Sequence, residues 1–334
     1  MAEIYERIIS FENLIRSFYR CYKGRKKRRE DAIKFYMNLE GEIERLRQEL
    51  KDKTYRPGRY RYFKIYDPKE RVIAVAQFRD RVVHHAVVDV LEEIYLPYFY
   101  EHSYACIKGR GSHRAVLKAK EYIKENEWYL KMDIKSYYDT IPHDGLKRVL
   151  RERIEDEDVM WLVGRILEVS EESSGITGAG IPIGNLTSQF FGNVYLDKLD
   201  WYIVKELGVK YYIRYMDDMV LFSNSKEDLK RWRDLIRSYV EDELSLRLKD
   251  KAVYIQKREN GLGFLGYRVY PNLIRVRNRN IKRFKKKMRM RLDEYYRGKI
   301  TARKVIQSVQ SLLGYMRFAD TGNLLRSIVW GEEL

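Results

Sequence analysis

Cysteine, proline and long apolar runs are all scarce in this chain of 334 residues. Its two cysteines, Cys21 and Cys106, have no partners at metal-ligand spacing, which argues against a zinc site and against a disulfide framework. We interpret both as packing residues in a reducing cytoplasm. No apolar run approaches the roughly 20 residues of a membrane-spanning helix, and residues 1–7 lack the apolar core of a signal peptide. We therefore expect a cytoplasmic protein without a membrane partner.

Acidic residues are outnumbered by basic ones. Lysine and arginine number 66 against 49 aspartates and glutamates, which gives a net charge of +17. Such an excess attracts polyanions over long distances, so nucleic acid is the first candidate partner and an anionic membrane surface is the rival. The hydrophobic content of 45% is that of an ordinary globular protein, which argues against a disordered chain.

The N-terminal region has the periodicity of helices. Residues 3–50 alternate apolar and charged positions at helical spacing, with a basic run at 23–29 at a predicted helix junction. The run is either a solvated face or, as we favour, a contact with RNA phosphates. The residues that would make this contact are Lys26, Lys27 and Arg28.

Strands and helices alternate in the rest of the chain. Period-two alternation predicts a β-hairpin at 60–75, helical spacing predicts a helix over 79–91, and residues 128–218 follow an α+β pattern. From residue 281 onward the chain is helical and strongly basic with interleaved aromatics, which favours a nucleic-acid backbone track over a solvated face. The predicted track includes Lys282, Arg283, Lys286 and Arg289.

Two adjacent carboxylates, Asp217 and Asp218, stand between two apolar, strand-like segments. The pattern predicts a hairpin whose turn presents both side chains. Neighbouring negative charges at an apolar edge raise each other's pKa unless a cation lies between them, and all-oxygen ligands favour Mg²⁺ or Mn²⁺. A third carboxylate, Asp133, ends another apolar run and would complete a set able to hold two metals about 4 Å apart for in-line phosphoryl transfer. The alternative is an ordinary solvated turn.

Two further features lie between these carboxylates in the chain. A bulky ring at Tyr138 could lie under a sugar and exclude a 2′-hydroxyl, or it is one core tyrosine among 28. The glycine-bearing loop at 180–189 precedes a helical pattern, and Gly184 would permit close approach of the backbone to a base or sugar. On its own, the loop could be only a helix entry.

Four segments in this order resemble the palm motifs of reverse transcriptases. They are residues 131–134, 138–143, 183–189 and 215–218. The resemblance extends to 78–85 and 109–113 in the fingers and to 263–267, which is similar to the primer-grip hairpin. It implies an α+β right-hand polymerase fold with an antiparallel palm sheet that carries the YMDD hairpin. The implied domains are an N-terminal helical extension and fingers at 1–127, with part of the fingers at 145–180, a palm at 128–270, and a basic helical thumb at 271–334.

The resemblance also implies roles for individual residues. Asp133, Asp217 and Asp218 would be the catalytic ligands of two Mg²⁺ ions, for which Mn²⁺ can substitute, and Ile134 would join the metal site. Lys251 would be the general acid that protonates pyrophosphate, with Lys249 as a neighbouring alternative. The residues implied for the incoming nucleotide are Arg71, Arg79, Tyr138, Ile183, Gly184 and Gln189. The implied primer grip is Phe264, Leu265 and Gly266, and Arg110 joins the nucleic-acid-binding residues.

One departure from the common motifs makes the chain similar to a particular group of reverse transcriptases. Most bacterial reverse transcriptases have Gln-Gly where this chain has Ile183-Gly184 and Ser-Pro where it has Ser188-Gln189, and the present residues are similar to those of diversity-generating retroelements. Isoleucine removes a hydrogen-bonding amide from beside the incoming nucleotide, so the selectivity for the correct nucleotide should fall. The resemblance implies misincorporation at template adenines, during copying of a template-repeat RNA into cDNA for mutagenic retrohoming. It also implies a small basic accessory variability protein that forms a ring as a partner.

The resemblance thus implies a polymerase, encoded by a bacterium, an archaeon or a phage, that binds template RNA, primer and dNTPs. Two alternatives to this interpretation remain. One is a group II intron-like or otherwise domesticated reverse transcriptase. The other is a catalytically silent RNA-binding scaffold, against which the three retained carboxylates argue, because converging charges cost stability unless a cation offsets them.

Overall fold

A computed structural model describes residues 4–66, 70–174 and 178–321 of the protein. The side chains at positions 25, 26 and 171–174 lie outside the described residues, and with them the predicted RNA contact of Lys26.

Four helices form the N-terminal region, as the spacing over residues 3–50 predicts. They are α1 (Ile4–Ile9), α2 (Phe11–Cys21), α3 (Glu30–Met37) and α4 (Leu39–Lys51). The Ser10 hydroxyl caps α2 by accepting a hydrogen bond from the backbone N–H of Asn13 at 3.3 Å. The basic run forms a 3₁₀ turn, Gly24–Arg28, at the junction between α2 and α3.

The predicted hairpin and the helix after it are both present. The hairpin consists of β1 (Arg61–Ile65) and β2 (Arg71–Val75), and it is followed by α5 (Phe78–Tyr95). Most of α5 is buried because it runs through the first of two cores. His84 on α5 is buried.

A four-stranded antiparallel sheet forms the centre of the palm, in the order β4-β5-β3-β6. Its strands are β3 (Trp128–Asp133), β4 (Tyr212–Tyr215), β5 (Asp218–Ser223) and β6 (Tyr254–Lys257). The helices of this region are α6 (Ser112–Glu125), α7 (Tyr137–Thr140), α8 (His143–Arg151), α9 (Glu157–Ser174), α10 (Leu186–Trp201) and α11 (Lys226–Asp242).

A second sheet and two helices follow. The sheet contains β7 (Leu262–Phe264), β8 (Tyr267–Val269) and β9 (Ile274–Val276), and the helices are α12 (Asn278–Tyr296) and α13 (Ala302–Arg317). Because β9 pairs with β8, the sheet continues past the predicted palm boundary at residue 270, and the thumb helices begin at α12. Residues 322–334 of the predicted thumb lie outside the described residues.

Two apolar cores lie on the two faces of the palm sheet. Side chains alternate along β3, so Leu130 and Met132 enter the first core while Tyr129 enters the second. The first core joins the sheet to α1–α5 and α8–α11, and the second joins it to α6, β7–β9 and the thumb helices. Each fully buried apolar side chain contributes roughly 1.5–3 kcal/mol, so both cores hold the sheet rigidly.

No helix in the parts of the chain described here combines the length and the apolarity needed to cross a bilayer.

Candidate active site

Strands β4 and β5 form the hairpin that the adjacent carboxylates predict. Tyr215 pairs with Asp218, which leaves Met216 and Asp217 as a two-residue turn. Met216 has a φ of +55°, a left-handed value that such turns usually assign to glycine. Its side chain is buried, and Nη1 of Arg214 donates a hydrogen bond to its carbonyl oxygen at 3.3 Å. These contacts hold the turn in one conformation.

A buried ion pair stabilises this hairpin. The Arg214 guanidinium donates to both carboxylate oxygens of Asp200, at 2.7 Å from Nε to Oδ1 and 2.5 Å from Nη2 to Oδ2, and both side chains are 0% exposed. The Tyr212 hydroxyl donates to the same carboxylate at 2.7 Å. Removing one partner of such a pair typically costs about 3–5 kcal/mol. The sequence signal, an arginine within an apolar strand, is visible but did not enter the prediction.

The three predicted carboxylates lie at one end of the palm sheet. Asp133 on β3 stands directly opposite Asp218 on β5, and Asp217 occupies the adjacent turn. Burial, followed by the negative charges of Asp133 and Asp218, raises the pKa of Asp217 to about 6. Burial also raises the pKa of Asp218. Carboxylates that repel one another in a partly buried position suit a divalent cation, so the residues present fit Mg²⁺.

These carboxylates are not assembled into a closed metal cage. Within the described ranges, no group of three or more Asp, Glu, His or Cys side chains is arranged so that it could hold a metal ion as it stands. Mg²⁺ commonly uses one or two carboxylates together with water and substrate phosphates, so substrate would supply the remaining ligands. The side chain of Ile134 is buried and offers no ligand atom, so any part it takes in the metal site falls to its backbone carbonyl.

Lys131 is a charged residue of the site that sequence reasoning missed. It lies two residues before Asp133 on the same face of β3, and its ammonium forms an ion pair with the Asp218 carboxylate. The Lys131 side chain is only 12% exposed, and its ammonium lies 5.4 Å from the centre of the Phe264 ring. Lysine thus offsets part of the carboxylate charge, which opposes the rise in the pKa of Asp218.

Tyr138 and Ile183 line one cavity of about 280 Å³ beside the carboxylates. The opposite wall comes from the β1–β2 hairpin through Tyr62, Val72 and Ala74. The charges of Asp217 and Arg71 both act on the pKa of Tyr138, which places the phenol near the catalytic turn and near a fingers arginine. Tyr138 and Ile183, which were predicted from separate motifs, therefore line the same cavity, and Arg71 of the fingers lies near Tyr138.

Gly184 is approached by the fingers strand β2. The backbone N–H of Ala74 donates to the Ile183 carbonyl at 2.8 Å, and a Cβ on Gly184, whose φ is +120°, would lie 2.7 Å from the Ala74 carbonyl oxygen. The glycine therefore permits close contact between two protein segments, and its approach to a base or sugar stays a prediction. Gln189 lies half-buried in the first turn of α10.

Arg71 and Arg79, both predicted to bind the triphosphate, occupy different environments. Arg71 is exposed on β2, and its charge lowers the pKa of Asp217, so it lies near the carboxylates. The Arg79 guanidinium instead forms an ion pair with Glu49 on α4 and lies over the Tyr55 ring. In the structure, Arg79 joins α5 to the N-terminal helices through Glu49, and its contact with the triphosphate stays a prediction.

Arg110 also has a structural role that the prediction did not foresee. Its Nη1 donates to the carbonyl oxygens of Tyr100 at 2.6 Å and Ser103 at 2.7 Å, so it braces the loop before α6. Its assignment as a nucleic-acid contact stays a prediction. Cys106 in the same loop is exposed, in contrast to the predicted packing role, whereas Cys21 is buried as expected.

The predicted primer-grip segment is a tight hairpin beside the carboxylates. Leu265 and Gly266 both have positive φ, +47° and +91°, as a two-residue turn with the twist of a hairpin requires. The side chain of Phe264 is buried on the face that meets Lys131. Lys251 is exposed on a 3₁₀ turn, while the backbone N–H of Lys249 donates to the Asp133 carbonyl at 2.8 Å. The assignment of the general acid stays a prediction.

Most of the predicted nucleic-acid contacts are exposed. Lys27 and Arg28 project from the 3₁₀ turn, and Lys27 lies over the Tyr22 ring. On α12, Lys282, Lys286 and Arg289 are exposed, whereas Arg283 is half-buried over Phe284, which anchors the helix.

A family model described as reverse transcriptase (RNA-dependent DNA polymerase) matches residues 65–269, more than half of the chain. The chain belongs to this family. The predictions of a reverse transcriptase and of its α+β polymerase fold are thereby confirmed. The match includes strand β2 of the fingers hairpin, all three carboxylates and the primer-grip segment, so the carboxylate geometry described above lies within the family's shared region.

Individual relatives of this reverse transcriptase are bacterial and mitochondrial. Protein YkfC of Escherichia coli K12 is 28% identical over 282 residues, covering 71% of this chain and 72% of YkfC. The group II intron-encoded protein LtrA of Lactococcus lactis is 23% identical and covers 68% of this chain, but the chain spans only 49% of LtrA. The solved apo telomerase of Candida tropicalis, truncated from its C-terminal domain, shares the fold with a TM-score of 0.50 and 13% identity, over 66% of this chain and 55% of the telomerase chain.

Proposed function

We propose that this reverse transcriptase copies an RNA template into DNA by two-metal nucleotidyl transfer at Asp133, Asp217 and Asp218. The observation that carries the proposal is the register that sets Asp133 opposite Asp218 with Asp217 in the next turn. Bound Mg²⁺ or Mn²⁺ would activate the primer 3′-hydroxyl and stabilise the charge of the triphosphate and of the leaving pyrophosphate.

Residues around the carboxylates would position the substrates. Arg71 would bind the triphosphate, since it is exposed and close enough to affect the pKa of Asp217. Tyr138 would lie under the sugar and exclude a 2′-hydroxyl. Lys251 would donate a proton to the leaving pyrophosphate, and the hairpin at Phe264 would hold the primer end near Asp218.

Primer extension on a defined RNA template tests this proposal. Asp217→Asn should abolish dNTP incorporation, because it removes a charged ligand while preserving the shape of the side chain. RNA binding by the variant should be nearly unchanged, which separates loss of chemistry from loss of folding. Asp320→Asn, which changes a carboxylate near the thumb, is a matched control. Full synthesis by Asp217→Asn would refute the two-metal assignment.

We further propose that the polymerase is that of a diversity-generating retroelement. The support is the segment 183–189, in which Ile183 stands where most bacterial relatives have glutamine. Ile183 lines the cavity with Tyr138 and has no amide to offer a nucleotide, so discrimination would depend on base pairing and shape. The product would be cDNA with errors at template adenines, made from a template-repeat RNA with a small basic accessory protein as partner.

The second candidate is a group II intron-like reverse transcriptase. The observation that favours it is the similarity to LtrA, whose name describes a group II intron-encoded protein. Such an enzyme would copy its template accurately.

Sequencing the cDNA made by the wild type and by Ile183→Gln distinguishes the two. A retroelement enzyme should concentrate its errors at template adenines, and the restored amide should lower them. Ile183→Val, which keeps the side chain aliphatic, is the control and should retain the wild-type error pattern. Accurate wild-type cDNA would favour the intron-like enzyme, and an unchanged error pattern in Ile183→Gln would place the control of fidelity elsewhere.

A further inference from the structure

Helix α11 has two flanks of opposite character on either side of its buried stripe. The stripe consists of Leu229, Ile236 and Val240, which pack into the first core behind the palm sheet. One flank carries Trp232 and Tyr239, which pack against the same core. The other flank carries four basic residues at helical spacing, and we call it the basic flank: Lys226, Lys230, Arg233 and Arg237.

The basic flank borders strand β6 at the edge of the palm sheet. Together they line a groove of about 410 Å³, whose other walls include Val253, Tyr254 and Ile255. β6 pairs with β3 on one side and is the last strand of its sheet among the described residues. The helix wall of the groove lies behind the sheet, because α11 packs into the first core, whereas Tyr254, Lys131 and Asp133 project from the front. None of the three predicted metal-binding carboxylates lines the groove.

Positive charge predominates in the groove. Four basic side chains line it against two acidic ones, Asp234 and Asp250. Arg233 pairs with Asp234 at 2.8 Å and Arg237 with Asp250 at 3.0 Å. Lys230 has only a distant contact with Glu227, at 3.7 Å, and half of its side chain is exposed. The unneutralised positive charge thus concentrates at Lys226 and Lys230.

An aromatic ring extends this surface along the sheet edge. Trp128, at the start of β3, lies between two lysines, with the ammonium of Lys226 5.0 Å and that of Lys257 5.2 Å from its ring centre. A positively charged groove beside aromatic rings is the arrangement that binds single-stranded nucleic acid without sequence preference. The basic flank spans the 12 residues from Lys226 to Arg237, a rise of about 16 Å along the helix, which is long enough to face several consecutive phosphates.

We propose that the groove between the basic flank and β6 binds the phosphate backbone of single-stranded RNA outside the primer–template duplex. The inference builds on the proposed copying of RNA, which explains why the polymerase would hold a long RNA at a second place. RNA is favoured over an acidic protein because the basic side chains form a regular row beside aromatic rings. The apolar lining of the groove is short, so it offers little surface on which a protein could pack. Held there, the template would stay on the enzyme while its copied end moves through the active site.

Two fluorescent probes separate this groove from the active site. The first is a 20-base-pair DNA primer–RNA template duplex with a four-nucleotide template overhang, and the second is the same duplex with a 40-nucleotide single-stranded RNA extension. Anisotropy titrations at several salt concentrations give the affinity and its salt dependence for each probe. The test variant is Lys226→Gln/Lys230→Gln. The control is Arg231→Gln/Lys210→Gln, which removes two exposed basic residues that do not line the groove.

The wild type should bind the extended probe more tightly than the short one. The test variant should lose about tenfold in affinity for the extended probe, with a salt slope lower by about 2, because two phosphate contacts are removed. Its affinity for the short probe, its primer extension on that probe and its melting temperature should be unchanged, as should all values for the control.

Three outcomes would overturn the proposal. Unchanged affinity of the test variant for the extended probe would mean that the groove holds no RNA. Equal losses on both probes would place the lysines on the duplex path. Unchanged RNA affinity with weakened binding of a poly-glutamate peptide would assign the groove to an acidic protein. Failure of the wild type to extend the short probe would instead refute the proposed function, since the binding comparison does not depend on synthesis.

Discussion

Asp217 shows at the residue scale how a charge of the proposed metal site is held at a cost to the fold. Its pKa is raised to about 6, first by burial and then by Asp133 and Asp218, above the value of about 3.9 for an unfolded chain. The folded state therefore binds a proton more readily than the unfolded state. Protonation of Asp217 therefore contributes to the stability of the folded state in full below pH 4, and this contribution is lost as the pH rises through 6. At neutral pH without metal, the charged Asp217 opposes folding.

Asp217→Asn should therefore stabilise the metal-free protein. We expect a gain of roughly 1–2 kcal/mol at pH 7, less than the full pKa difference implies because the side chain is partly exposed to water. The gain should fall as the pH is lowered through 6 and vanish near pH 3, where Asp217 is protonated in both states. Thermal melting in EDTA at both pH values measures it. Adding Mg²⁺ should stabilise the wild type more than the variant, since the ion binds only the folded site. A variant that is less stable than the wild type in EDTA would contradict the charge argument.

Lys131→Met should have the opposite effects. The ion pair with Asp218 offsets carboxylate repulsion, so its loss should lower the melting temperature in EDTA. It also frees Asp218 from a competing cation, so the stabilisation by Mg²⁺ should increase. Lys118→Met is a matched control, because its salt bridge to Glu121 lies on the surface of α6. Equal responses to Mg²⁺ in Lys131→Met and in the wild type would show that the lysine does not compete with metal.

At the scale of elements, the contact between β2 and the loop before α10 joins the fingers to the palm. Gly184→Ala should disrupt it, because the new Cβ would meet the Ala74 carbonyl and would also require a strained φ, which costs about 1–3 kcal/mol. We expect a higher KM for dNTPs and a lower melting temperature. Gly298→Ala, at a φ of +69° with open space around it, carries the strain without the clash. Matching dNTP kinetics in the two variants would exclude a role for the contact.

Elements were predictable where local pattern determines them, and contacts between distant segments were not. The fingers hairpin and the β4–β5 hairpin follow from alternation and flanking apolar runs, although the predicted turn presents both aspartates and the structure places Asp218 on β5. The ion pair of Lys131 depends on the register between β3 and β5, which no local pattern specifies. Arg79 and Arg110 were predicted to contact substrates because basic residues near motifs suggest phosphate binding. The structure adds contacts that their local sequence does not indicate: Arg79 pairs with a carboxylate from α4, and Arg110 donates to two backbone carbonyls.

At the scale of the whole molecule, the two cores and the net charge of +17 serve different purposes. The first core fixes the palm sheet to the N-terminal helices, while the second extends from the opposite face toward the thumb. Basic side chains outside ion pairs lie on exposed surfaces, including the exposed side of α12. Surface charge of this kind contributes little to stability, but it governs the affinity for a polyanion and its dependence on salt.

Binding of a primer–template duplex should therefore weaken steeply with salt, and α12 should account for part of the slope. Substituting Gln at Lys282, Lys286 and Arg289 together should lower the slope of log affinity against log salt by about 2 to 3, because each phosphate contact releases counterions. The control substitutes Gln at Lys34, Arg45 and Arg47, which are neutralised by Glu30, Glu42 and Glu44. It removes the same net charge, so equal slopes in both triple variants would mean that total charge, and not α12, directs binding.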